Sequence, residues 1–119
     1  MIWKSLQRAD EIETLIEESK IRPVLIFKHS TRCSISAAVV DRLERRWREE
    51  DMSNLTPYFL DLIQHRDVSN AIAEKLAIRH ESPQAIILRD GKSIYDASHF
   101  GIDYEEIADI AKTEVPIKN

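Results

Sequence analysis

The chain predicts an α/β fold, a central mixed sheet with helices on both faces, and three observations carry that reading. Two short apolar runs, residues 24–28 and 58–62, each precede a segment with helical spacing. A third run, residues 84–88, is followed by Asp90-Gly91 and a return strand instead. Asp-Gly between such runs is a two-residue hairpin signal, because both central positions want φ > 0. Two crossover units and then a hairpin give parallel strands with an antiparallel edge.

Each element follows from local pattern. Residues 9–19 carry Ile12, Leu15 and Ile16 at helical spacing among acids, a short amphipathic helix. Arg22-Pro23 ends that unit, and residues 24–28 form the first strand. The next helix is expected over 34–48, with Ile35, Val39, Leu43 and Trp47 four apart on one stripe. Residues 52–57 read as a polar connection, with Pro57 near the start of the following strand, where a missing N–H does least harm. Asp67 or Ser69 can cap a third helix whose inward residues are Val68, Ile72, Leu76 and Ala73. After the hairpin, Asp103 and Glu106 form a capping-box pattern for a last helix carrying Ile107 and Ile110. Residues 2–6 offer a short edge strand in front, and Pro116 closes the pattern.

Composition narrows the class. The 119 residues suit a single domain, 1–119, with one core, and 43% apolar with 32% charged residues is a globular balance. A net charge of −4 leaves no electrostatic footprint for nucleic acid. Arg42, Arg45, Arg46 and Arg48 cluster, but Glu44, Glu49, Glu50 and Asp51 interleave with them, as on a solvated helix face. No apolar stretch approaches the ~20 residues of a membrane span. The first residues lack a signal-peptide core, and Cys33 is the single cysteine, so no intrachain disulfide holds the fold. A free thiol is best tolerated in a reducing compartment, and the cytoplasm is the expected address.

Cys33 is the candidate nucleophile. It stands at a strand-to-helix turn, where unpaired N–H groups and the helix dipole favour an anion, and the thiolate is the attacking form. Three residues on, where a dithiol motif carries its second cysteine, stands Ser36, so Cys33-Ser34-Ile35-Ser36 is a C-x-x-C frame with one thiol. Lys28, His29 and Arg32 are positive or ionisable neighbours; for Arg32, tuning the thiol and simple solvation are equally good readings. His29 reads as a structural histidine rather than a general base. Ser36 can hydrogen-bond the sulfur, or cap or back-bond to the helix. The histidines at 29, 65, 80 and 99 form no close pair for a metal, and none is expected.

Ser82-Pro83 is the second landmark, at the start of the strand after the third helix. The element order is the thioredoxin arrangement, in which a cis proline at this point faces the redox cysteine and leaves the preceding backbone free for substrate. A trans proline that starts a strand is the competing reading.

Three segments carry a family resemblance: Lys28-His29-Ser30-Thr31-Arg32-Cys33-Ser34-Ile35-Ser36, His80-Glu81-Ser82-Pro83-Gln84 and Ala97-Ser98-His99. They resemble the YtxJ-like monothiol bacilliredoxin family, whose motifs are T-C-P-I-S, H-E-S-P-Q and A-S-H. The resemblance implies a thioredoxin-like fold and exchange with bacillithiol, a small thiol that replaces glutathione in some bacteria. It implies that Cys33 attacks mixed disulfides on S-thiolated client proteins, with Ser82, Pro83 and Arg32 on the substrate side and Ser34 and Ser36 supporting. No bound cofactor is implied; bacillithiol is the exchange substrate. The departure is Ser34, where the family commonly has proline. Two other readings stay open: a non-catalytic binding module with an inert cysteine, and a redox-sensing thiol that is capped without turnover.

Overall fold

Val24, Leu25, Ile26 and Phe27 are all completely buried, which a strand covered on both faces requires. They belong to β2 (Val24–His29), the middle strand of a five-stranded sheet in the computed structural model, which describes residues 3–114 and 116. The other strands are β1 (Lys4–Ser5), β3 (Thr56–Asp61), β4 (Gln84–Arg89) and β5 (Lys92–Ser98). Their order is β1-β3-β2-β4-β5; the first three run parallel, and β4 and β5 are antiparallel. The helices are α1 (Glu11–Ser19), α2 (Ser34–Arg46), α3 (Glu49–Met52), α4 (Arg66–Leu76) and α5 (Tyr104–Thr113), with a 3₁₀ turn at His99–Gly101.

Alternation along β2 divides the core. Leu25 and Phe27 pack with Val39 and Leu43 of α2 and with Ile107, Ala108 and Ala111 of α5. Val24 and Ile26 pack on the other face with Ile12 and Leu15 of α1 and Val68 and Ile72 of α4. Each of the valine, leucine, isoleucine and phenylalanine side chains contributes about 1.5–3 kcal/mol by leaving water. The α2 face is also held by Trp3, whose ring lies 5.9 Å from Phe27, 5.8 Å from Trp47 and 5.7 Å from Phe59, and whose Nε1 donates to Glu44 at 2.8 Å. The hairpin forms as its sequence requires: Asp90 and Gly91 have φ of 56° and 73°. Their amides donate to the Ser19 carbonyl at 2.8 Å and the Ser19 Oγ at 2.9 Å, tying the turn to the end of α1.

The expected elements occur, with five local differences. The edge strand is confined to Lys4–Ser5, and Ile2, where it was expected to begin, lies outside the described residues. Pro57 lies inside β3 rather than before it. The Thr56 amide donates toward β2, to Pro23 O at 3.1 Å, so position 57 faces the β1 side, where β1 pairs only with Tyr58 and Phe59. The missing N–H therefore costs no ladder bond. Helix α2 ends at Arg46, and Ile35 is 37% exposed. Residues four apart drift by about 40° per step around a helix, so Ile35 at the start of the stripe leaves the buried face, while Trp47 lies past the helix end and packs at the edge of the core. Residues left unassigned ahead of the expected connection, together with Met52, form α3, where Tyr104 OH accepts from Arg48 N at 3.0 Å and donates to Asp51 at 2.9 Å. Neither expected side-chain cap forms: His65, not Asp67 or Ser69, is the N-cap of α4, and Asp103 occupies the N-cap of α5 without a capping bond. The turn before α4 is instead closed by Asp61, whose Oδ1 accepts from Ile63 N at 3.1 Å and Gln64 N at 3.2 Å.

Candidate functional site

Antiparallel pairing of Lys28 with Gln84 brings the end of β2 and the start of β4 to one end of the sheet. The turn that carries Cys33 and the Ser82-Pro83 step leave the sheet side by side for that reason. Cys33 is the N-cap of α2, with extended backbone (φ −115°, ψ 116°), and is half-buried. Its amide donates to Ser30 O at 3.2 Å, and its carbonyl accepts from Ala37 N at 3.2 Å. The thiol therefore sits at the positive end of a 13-residue helix. Ser34 is the first residue of the helix proper and is exposed. Proline suits that position because its N–H has no partner within the helix; serine keeps the N–H available.

Ser30 organises the turn. Its Oγ accepts from Arg32 N at 3.3 Å, its carbonyl from Cys33 N, and its own amide donates to Ser36 Oγ at 3.1 Å. Ser36 is completely buried, and its Oγ lies 2.7 Å from His29 Nδ1. Its hydroxyl thus serves Ser30 and His29, a role that differs from each of the expected ones. The His29 ring packs against Phe59, tilted by 39°, with centroids 5.2 Å apart. Burial lowers its pKa, against the opposing charges of Asp61 and Glu44. Arg32, next to the thiol, is exposed.

Lys28 does not share the thiol's face. It continues the Val24–Ile26 stripe toward α4, where it is completely buried, donates to Ser69 O at 3.2 Å and lies 3.4 Å from His80 Nδ1. Burial lowers its pKa to about 8. His80 Nδ1 is also 3.2 Å from Ser69 Oγ, and its pKa is lowered by burial and then by the charges of Lys28 and Arg66, against Glu81. This cluster anchors the segment that leads to Pro83. Sequence reading missed it; the signal was a lysine inside an apolar strand.

The Ser82–Pro83 bond is cis, as the topology led us to expect. Pro83 is buried, and its carbonyl accepts from His99 N at 3.0 Å. His99, isolated in sequence, is thereby joined to the proline segment, and its Nε2 lies 3.9 Å from Glu81. The Ser82 Oγ is buried without a hydrogen-bond partner among the described residues. No three His, Cys, Asp or Glu side chains among the described residues converge as a metal site.

A family model for monothiol bacilliredoxin BrxC matches residues 4–107. The chain belongs to the monothiol bacilliredoxin family. A solved structure described as a candidate oxidoreductase with a thioredoxin fold is similar to this bacilliredoxin at 34% identity and a TM-score of 0.77, over 92% of this chain and 93% of its own. Fasciola hepatica thioredoxin matches at 17% identity and a TM-score of 0.68, over 93% of this chain and 98% of its own. Malassezia sympodialis thioredoxin matches at 12% identity and a TM-score of 0.72, over 95% and 90%. These two likenesses show the fold alone. The bacilliredoxin is a monothiol thiol–disulfide exchange protein of thioredoxin fold, and its single cysteine is Cys33. No described helix is long and apolar enough to cross a membrane.

Proposed function

We propose that this bacilliredoxin removes bacillithiol from mixed disulfides on client proteins, with Cys33 as the nucleophile. The Cys33 thiolate attacks the bacillithiol sulfur, the client–bacillithiol S–S bond breaks, and the client leaves as a thiolate that takes a proton from solvent. Cys33 then holds bacillithiol in a disulfide. A second bacillithiol thiolate attacks that adduct, giving bacillithiol disulfide and restoring the Cys33 thiolate. No resident cofactor enters these steps, and the regenerating thiol is abundant only in a reducing compartment such as the cytoplasm.

The observation that supports this reading most is the placement of the only cysteine at the N-cap of α2, at the same sheet end as Pro83. There the unpaired N–H groups at the helix N-terminus lie beside the reacting sulfur. Ser82 and Pro83 would line the substrate side through backbone, and Arg32 would face the anionic or polar parts of the departing groups. Ser34 and Ser36 would support the turn. The test of substrate is a rate comparison on one client protein carrying either bacillithiol or glutathione. Faster release of bacillithiol is expected. Equal rates would leave the exchange chemistry standing and remove bacillithiol as the preferred thiol.

A further inference from the structure

We propose that His29 and Ser36 act as one positioning pair for the Cys33 thiol, by fixing the Ser30–Cys33 turn against the start of α2. The proposal rests on the reading of Cys33 as nucleophile and concerns residues that reach it only through Ser30.

The direction of the Ser30–Ser36 hydrogen bond is determined by chemistry. Ser30 N–H can only donate, so Ser36 Oγ accepts it at 3.1 Å. Ser36 Oγ also lies 2.7 Å from His29 Nδ1; in the proposed pair the hydroxyl proton points at Nδ1 and the neutral imidazole carries its own proton on Nε2. Burial favours that neutral form, with Asp61 of β3 and Glu44 of α2 the charged groups that oppose it. Phe59 holds the ring in place from β3. Ser36 is fully buried and Ser30 nearly so, so water cannot readily replace either bond. With His29 supplying the acceptor, a lone pair of Ser36 stays aimed at Ser30 N–H. Ser30 in turn fixes the amides of Arg32 and Cys33. In a dithiol frame position 36 would carry the resolving sulfur; here it locks the turn that presents the single thiol.

The test is a double-mutant cycle read on the rate of Cys33 alkylation by iodoacetamide, in the full chain. Ser36→Ala removes the hydroxyl; His29→Phe removes Nδ1 and keeps an aromatic ring on Phe59. Each single change should slow alkylation by about two- to tenfold, the range of one hydrogen bond. The double variant should be no slower than the worse single. His29→Asn, whose amide oxygen can accept near the Nδ1 position, should recover most of the rate, and this arm stands if His29→Phe fails to fold. In ¹⁵N spectra, His29 should show the Nε2–H tautomer in wild type and a mixture in Ser36→Ala. Multiplying losses in the double variant, or wild-type alkylation in His29→Phe, overturns the pairing. Alkylation needs no bacillithiol, so a failure to transfer bacillithiol would count against the proposed function and not against this pair.

Discussion

Replacing Lys28 by methionine tests how the proline segment is anchored. Lys28 is completely buried, with its pKa lowered from an ordinary 10.5 to about 8 by desolvation. At pH 7 it is charged in both folded and unfolded chains, and the difference corresponds to a cost of about 3 kcal/mol in the fold. Methionine has similar reach and no charge, so it removes that cost. It also removes the bonds to Ser69 O and His80 Nδ1, together worth about 2 kcal/mol. The variant should be more stable than wild type by about 1 kcal/mol at pH 7. Between the two pKa values the unfolded chain binds more protons than the folded one, so wild-type stability rises with pH there. From pH 7 to 9.5 the gain is about 2 kcal/mol, which reverses the order of the two proteins. Burial raises the pKa of Tyr95 to about 12, and such groups titrate alike in both proteins and cancel in the difference. Urea unfolding of both at pH 7 and pH 9.5 measures it. A difference that stays constant with pH would refute the buried, proton-releasing lysine.

Phe27→Ala should cost about 3–5 kcal/mol, because a fully buried ring in the central strand leaves a cavity beside Trp3 and Phe59. Tryptophan-monitored urea unfolding gives the value, and a loss under about 1 kcal/mol would show that the α2 face repacks. Ser36→Cys should create a C-x-x-C pair that closes on oxidation with bacillithiol disulfide, giving a protein lighter by two hydrogens and free of adduct. The same change breaks the Ser30 and His29 bonds, so the reduced variant should also unfold at lower urea. A persistent adduct at wild-type level would mean that a sulfur at 36 stays turned toward His29.

The sheet and its connections were legible because periodicity and turn chemistry act locally. Leu25, Phe27, Ile86 and Ile87 mark buried strands by themselves, and Asp90-Gly91 fixes the hairpin by its φ requirement. From that order the cysteine turn and the Ser82-Pro83 step fall at one end of the sheet. Long-range polar partners were not legible. Lys28 meets Ser69 and His80 across 41 and 52 residues of sequence, and His99 reaches Pro83 only through the β4–β5 pairing. The partners of the Ser36 hydroxyl were equally hidden, because several local groups compete for it and only the turn's geometry brings His29 Nδ1 to 2.7 Å. Helix α3 escaped because Glu49-Glu50-Asp51-Met52 is too short to show a period.

The central claim is that one thiol, Cys33, carries the exchange. The direct measurement is release of bacillithiol from a modified client by wild type and by Cys33→Ser, with the mass of each bacilliredoxin recorded afterwards. Wild type should release bacillithiol and carry one bacillithiol adduct, while Cys33→Ser should do neither, because a serine hydroxyl does not attack sulfur at neutral pH. Release at the wild-type rate by Cys33→Ser would contradict the account.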